Sequence, residues 1–423
     1  MPGGGEPQSQ VDRQDCYCCV KALTAAFQMT LVNRETRALP AVLVLALPLL
    51  IIDLFPSSTP ATGVPTSMSS ISIGVIGAGL IGRKHLGQIA AHDDFVLAGI
   101  ADVNSAAVSA HYPAARVFSD YRVLLDEARP EAVIIASPNQ VHAEIGIECA
   151  RRGIHFLVEK PVTDTLEAAS RLIAETGRSG VRTLVGHHRR HHDQVRRLKT
   201  LLGEGSIGAL VGVSAIWATY KPASYFEAGP WRTELGGGPV LINLIHEIDF
   251  LRFAAGEIRA VGAIASNRQR GFAVEDTAAA VLEFDSGAIG TMIASDSAVS
   301  PWTAEQGIGE SVEFPYSGES GYRFLGSHGS LEFPTLDRWT QTERTWNQPV
   351  TAQRLFSTTI DPYRAQLDHF RDVVRGEATS IQTVEDGART LIATLAITEA
   401  AEAGKRIALA ERYEALSASG RVS

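Results

Sequence analysis

The sequence predicts an α/β protein whose first half is a doubly wound parallel sheet. Three observations carry this. A β-branched run, "ISIGVI" (Ile71–Ile76), leads directly into glycines at 77, 79 and 82. Short apolar runs then alternate with helical stretches of about ten residues as far as His188, the rhythm of a parallel sheet with crossover helices. An acidic residue, Asp102, closes the second of these runs, twenty positions beyond Gly82.

The first run has the pattern of a fully buried parallel strand. A lone GxGxxG says little, but a strand before it and a helix after it give it meaning. Gly77 permits the tight turn, Gly79 lets backbone N–H groups approach a pyrophosphate, and Gly82 lets helix and strand pack closely. Leu80 and Ile81 complete the turn, and the helical stretch Arg83 to Ala91 directs its positive end at the phosphates. The second run, Phe95 to Asp102, ends in a carboxylate suited to the adenosine ribose hydroxyls and repellent to a 2′-phosphate. Val103 and Asn104 follow, with no arginine to receive such a phosphate, so NAD is expected in preference to NADP.

The alternation continues through helix 104–111, strand Arg116–Phe118, helix 121–128 and strand Glu131–Pro138. Helix Gln140–Gly153, strand Ile154–Pro161, helix Leu166–Gly177 and strand Arg182–His188 complete it. Ligands bind beyond the carboxyl ends of such strands, so Ser137–Asn139, Glu159–Pro161 and His187–Arg190 are expected to face one crevice. Further on, Ala209–Tyr220, Ala260–Asn267, Asp276–Asp285 and Ala288–Ser297 are strand-like. A helix is expected over Val240–Ala255, and a long loop over Ala298–Tyr322 that covers the site or contacts another subunit.

The combination "GVIGAGLIG", "ASPNQVH", "EKPVTDT" and "GGGPVLINLIHEIDFLR", with "TVEDGARTLIATLAITEAAEAGKRIAL" near the C-terminus, resembles the glucose–fructose oxidoreductase / inositol dehydrogenase / MocA family over roughly residues 71–410. The resemblance implies a Rossmann domain followed by an α/β domain on a large, mainly antiparallel open sheet. It implies an NAD-dependent dehydrogenase acting on a CH–OH group of a cyclic polyol, sugar or sugar derivative. It also implies a homodimer or homotetramer formed through the faces of the large sheet.

Lys160 would then lie near the nicotinamide and the reacting hydroxyl, where an ammonium holds the substrate oxygen and stabilises a developing alkoxide. His246 takes a catalytic position by the same resemblance, and imidazole is suited to accept a hydroxyl proton near neutral pH. Ser137, Pro138, Asn139, His142 and Glu159 would line or shape the cofactor site. Many family members carry an aspartate four residues before the histidine; here that position is Ile242, with Asn243 beside it. Either Asp249, three residues beyond His246, supplies the missing carboxylate, or Lys160 and His246 work without one.

The loop before this helix offers Lys221, Tyr225, Trp231 and Arg232, types that stack on and hydrogen-bond sugar rings or carboxylates. With Arg190, Asn243 and Asp249 they are candidate substrate contacts. Two other readings share the fold: a dinucleotide-binding regulator without turnover, and a glycoside-processing enzyme that keeps its NAD bound. Retention of both Lys160 and His246 argues against the regulator.

Net charge is −9 over 423 residues, which leaves no basic footprint for nucleic acid or an anionic membrane. The richest basic cluster, Gly186–Lys199, reads as a solvated helix face. Three of the four cysteines, Cys16, Cys18 and Cys19, sit near the N-terminus, and no residues stand at metal-ligand spacing. The run Ala38–Ile52 is fifteen residues long and holds Pro40 and Pro48, short of the roughly 20 apolar residues of a spanning helix. Residues 1–67 are therefore expected to be an extension upstream of a start at Met68, in a cytoplasmic protein; the alternative is an exported or anchored one. The expected division is 68–190 for cofactor, 191–411 for substrate and oligomerisation, and a tail from 412 to 423.

Overall fold

The computed structural model describes residues 69–310, 314–358 and 360–420. The apolar run Ala38–Ile52, the three N-terminal cysteines and Met68 lie outside the described residues. Among the described residues, no helix is long and apolar enough to cross a membrane.

Six parallel strands form the first sheet: β1 (Ile71–Ile76), β2 (Phe95–Ala101), β3 (Val117–Phe118), β4 (Ala132–Ile135), β5 (His155–Val158) and β6 (Thr183–Val185), in the order β3-β2-β1-β4-β5-β6. The order reverses between β1 and β4, the point at which a doubly wound sheet opens a ligand crevice. Both faces of the sheet are covered, so its strands are nearly continuous apolar runs; Ile73, Val75, Ile134 and Leu157 are fully buried.

One covering helix comes from far along the chain. Pro362–Arg375 seats Leu367, Phe370 and Val374 among Ile71, Ile73, Ile134 and Leu184. Arg371 and Arg375 reach Asp94 at 2.9 and 3.0 Å, and Gln88 donates to Asp361 at 2.7 Å. A division at residue 190 assigns this helix to the second domain; the structure seats it on the first sheet. The supposed tail is also structured: Ala410–Ser419 is a helix with Tyr413 and Leu416 buried.

The second sheet has nine strands. They are β7 (Leu210–Ala218), β8 (Ile258–Ser266), β9 (Thr277–Phe284), β10 (Ile289–Ser295), β11 (Tyr322–Gly326), β12 (Gly329–Phe333), β13 (Asp337–Thr340), β14 (Thr351–Arg354) and β15 (Ile407–Ala408). Their order is β14-β13-β12-β11-β7-β10-β9-β8-β15, and every neighbouring pair is antiparallel except β7 with β10. Burial alternates along β9 and β10, as period-two side chains require when one face is covered. The inner face carries Leu282, Phe284 and Met292, packed with the helices Ile245–Ala255 and Val384–Ala403; the outer face exposes Ile264, Val281, Ile289, Ile293 and Leu325.

Two local features shape the site. The helix expected over Val240–Ala255 forms, but Val240–Leu244 is wound as a π-turn before the α-helix Ile245–Ala255 begins. Such turns recur at functional sites. The stretch Ala298–Tyr322 is not loop throughout: Ala304–Ile308 is a short helix, with the Thr303 hydroxyl accepting from the Gln306 N–H as its cap.

Candidate active site

The glycine loop divides its three positions by what surrounds them. Gly77 has φ +94°, and a Cβ there would meet the Ala136 carbonyl oxygen at 2.5 Å. A Cβ at Gly82 would stand 1.9 Å from the Gly77 carbonyl oxygen. Both are required by the protein's own packing. Around a Cβ at Gly79 no protein atom lies within 4 Å. Gly79 therefore leaves open space at the N-terminus of the helix Leu80–Ala90, whose first turn holds no acidic residue. Leu80 opens this helix exposed, with Ile81 half-buried behind it.

Asp102 sits at the end of β2 and is aimed at this loop. One carboxylate oxygen accepts from the Ala78 N–H at 2.7 Å, the other from the Asn104 N–H at 2.8 Å. A cleft of about 350 Å³ opens beside it, lined by Gly77, Asp102, Ser119, Arg122, Ser137 and Pro138 among others. Arg122 was not anticipated, because it comes from beyond β3 and not from the residues after Asp102. It is engaged by Glu144, and Asp120 lies 3.7 Å away. The Ser137 hydroxyl is buried without a protein partner. An orphaned hydroxyl, an open glycine cradle and a fixed carboxylate fit a dinucleotide: Gly77–Gly82 for the pyrophosphate and Asp102 for the ribose.

At the ends of β4 and β5 the loops are tied together. His142 contacts the Ser137 and Pro161 carbonyl oxygens, each at 2.9 Å, and so clamps the two loops rather than facing the crevice. Asn139 begins the short turn that leads into the helix of His142. Glu159, expected at the cofactor, is turned inward: it is buried, and its carboxylate pairs with His85 of the glycine-loop helix at 2.7 Å.

Lys160 follows, joined to Pro161 by a cis peptide bond. Its Nζ lies 3.4 Å from the Ile242 carbonyl oxygen in the π-turn. Burial lowers the pKa of its ammonium, against the pull of Glu159. His246 stands four residues beyond Ile242. Its ring lies edge-on to His187 and His188, with centroids 6.0 and 5.7 Å away. Its Nδ1 is buried without a partner. Burial, reinforced by the charges of Lys160 and Arg189, holds its pKa well below the usual imidazole value. The ring is neutral at physiological pH.

The cluster Gly186–Lys199 is the largest departure from expectation. His187, His188, Arg189, Arg190, His191 and His192 are all buried, not a solvated face. Burying such charges demands partners, and distant segments supply them. Arg189 is ringed by Glu247, Glu305 and Glu310, and His188 also pairs with Glu310. Arg190 grips Asp249 through two bonds of 2.9 and 2.7 Å and reaches Asp386 at 2.7 Å. Asp249 further accepts from Gln382 and Thr390.

Arg190 and Asp249 are thus turned to each other and not to the crevice. Asp249 does not replace the missing aspartate beside His246; its nearest imidazole is His187, 3.8 Å away. Although burial pushes the Asp249 carboxyl up, Arg190 and His187 bring it down to about 2.

On the other side of the π-turn, Asn243 accepts a hydrogen bond from Lys221 at 2.7 Å. Lys221 lies over the rings of Tyr225 and Trp217, at 4.8 and 5.6 Å from their centroids, and burial pushes its pKa down to about 8. Arg232 stacks on Tyr225 at 4.0 Å and donates to the Tyr225 carbonyl. Trp231 is half exposed beside it. Lys160 and Lys221 therefore approach adjacent residues, Ile242 and Asn243, from two sides.

The class follows from where these parts meet: an oxidoreductase that works with a dinucleotide. The chain belongs to the GFO/IDH/MocA family. The family's NAD-binding Rossmann fold matches residues 71–187 and its C-terminal domain residues 195–332. Myo-inositol 2-dehydrogenase of Thermotoga maritima is 30% identical over 237 residues, 54% of this chain and 69% of that protein. 1,5-Anhydro-D-fructose reductase of Ensifer adhaerens is 26% identical over 343 residues, 78% of this chain and 96% of that protein. The crystal structure of the WlbA dehydrogenase from Bordetella pertussis, solved with NADH and UDP-GlcNAcA, has the same fold. Its TM-score is 0.65 at 24% identity, over 80% of this chain and 99% of that one.

Proposed function

We propose that the chain transfers hydride between NAD and a secondary alcohol carbon of a cyclic polyol, sugar or sugar derivative. The observation that supports this is the approach of Lys160 Nζ to the Ile242 carbonyl oxygen in the π-turn, four residues before His246. Bound NAD supplies the hydride acceptor at its nicotinamide. His246, neutral because its site is buried and cationic, accepts the hydroxyl proton at Nε2, since Nδ1 is enclosed. Lys160 donates to the same oxygen and holds its negative charge as the carbonyl forms; the reverse reduction uses the same groups. Asp102 favours NAD over NADP, and the carboxylates on Arg122 reinforce that preference.

The test is NADH formation by the full chain across cyclic polyols, aldoses, uronic acids and anhydrosugars, with NADP⁺ in parallel and Lys160→Ala as control. Turnover with NAD⁺ that falls at least ~100-fold in the variant is the expected result. NADH binding without turnover on any compound would overturn the reading, and a preference for NADP⁺ would overturn the role of Asp102.

A further inference from the structure

Beyond the reacting pair, the charges around Asn243 are unevenly matched. Asp296 is the carboxylate nearest Lys221, at 3.9 Å, and it is already bound by Arg270 at 2.6 Å. Asp276 accepts from the Gln269 and Arg270 N–H groups and the Thr277 hydroxyl, and Glu275 accepts from the Val240 N–H. Glu305 is held by Arg189 and the Trp217 indole. Arg232 pairs with no carboxylate among the described residues; its Nε is buried without a partner, and its one bond goes to a backbone carbonyl. Two cations, Lys221 and Arg232, therefore share the Tyr225 ring with no carboxylate of their own. Lys221 is linked through Asn243 to the turn that precedes His246.

We infer that Lys221 and Arg232 form a subsite for a carboxylate on the substrate, so that the compound oxidised is a sugar acid and not a neutral sugar or polyol. The inference rests on the dehydrogenase reading above. A guanidinium and an ammonium in a partly desolvated loop bind a carboxylate through charge-assisted bonds. A neutral sugar would leave both cations without a counter-charge in the complex, a cost that discriminates against it.

The test uses the full chain loaded with NADH and matched pairs that differ only at C6: D-glucuronate with D-glucose, and D-galacturonate with D-galactose. Affinity is read by calorimetry, and turnover is read separately with NAD⁺. Binding of at least one uronate about tenfold or more tighter than its aldose is expected, weakening as salt rises. In Arg232→Leu, and separately in Lys221→Met, that ratio should fall to within about threefold. Arg232 is half-buried and on a loop, so its variant keeps the test valid if Lys221→Met does not fold.

Equal affinities, no binding of either uronate, or a preference that survives Arg232→Leu would overturn the inference. An enzyme that oxidises a neutral polyol and ignores every uronate keeps the dehydrogenase reading and sinks this one. Charge-selective binding without turnover of any compound does the reverse.

Discussion

Lys160 Nζ faces the carbonyl oxygen of Ile242, a neutral dipole standing where the family resemblance implies an aspartate. A carbonyl orients an ammonium but does not hold its charge as an anion would. In the two groups proposed to handle the proton, burial lowers the pKa of Lys160 below the usual lysine value and that of His246 well below the usual imidazole value, with no nearby anion at position 242 to oppose it.

The pH profile should show this. The acid limb of kcat/KM, set by protonation of His246, lies below the ordinary imidazole range. The basic limb, set by loss of the Lys160 proton, lies below that of a free lysine. Ile242→Asp introduces an anion that favours the charged form of both groups. Both limbs should move to higher pH, by about one unit. A profile recorded from pH 4 to 10 with saturating NAD⁺ checks it; limbs that do not move would assign them to other groups.

The three glycines should separate folding from cofactor binding. Gly82→Ala forces a methyl into the Gly77 carbonyl, and Gly77→Ala adds backbone strain to a close contact. Both should lower Tm by several degrees, a cost of about 2 kcal/mol or more. A Cβ at Gly79 meets no protein atom within 4 Å, so Gly79→Ala should leave Tm nearly unchanged, yet weaken NADH binding at least about tenfold. Thermal melts and NADH fluorescence titration on the same preparations decide it.

Asp249→Asn should destabilise the protein by ~3 kcal/mol, because it leaves Arg190 buried with Asp386 alone. The Asp249 carboxyl is lowered from 3.8 to about 2, so its stabilisation is fully present above the unfolded value. As pH falls through about 2 the contribution is lost, and wild type and variant should converge. Denaturant melts at pH 7 and at successively lower pH measure the gap.

Ile264, Val281, Ile289, Ile293 and Leu325, on the four strands β8, β9, β10 and β11, form an apolar outer face. Such a face marks a contact surface. We propose that two copies of the chain pair through it. Ile293→Lys with Ile264→Glu should convert the assembly to monomer in sedimentation, whereas a wild type that sediments as a monomer would refute the pairing.

Much of the first half is legible in the order of residues, because local spacing alone determines it. The strand before Gly77, the helix that holds Gly82 and the carboxylate at Asp102 sit within one βαβ unit. Lys160 and His246 are legible only through family resemblance, since a lysine after a strand and a histidine on a helix are common. The basic cluster defeats sequence reading for a definite reason. His188, Arg189 and Arg190 look solvent-facing until Glu247, Asp249, Glu305, Glu310 and Asp386 close around them, and those carboxylates come from more than fifty residues away. Arg122 was missed in the same way, being brought beside Asp102 by the pairing of β2 with β3.

The seating of Pro362–Arg375 on the first sheet bears on how the chain is made. Leu367, Phe370 and Val374 cover Ile71, Ile73 and Ile134, residues synthesised more than two hundred positions earlier. During translation the nucleotide-binding sheet must wait, with one apolar flank bare, until the ribosome has delivered residue 375. At roughly 5–20 residues per second that is an interval of tens of seconds in which the nascent chain exposes this apolar surface. A premature stop between the first sheet and this helix would leave a fragment that carries every glycine of the loop but lacks the apolar cover of Leu367, Phe370 and Val374.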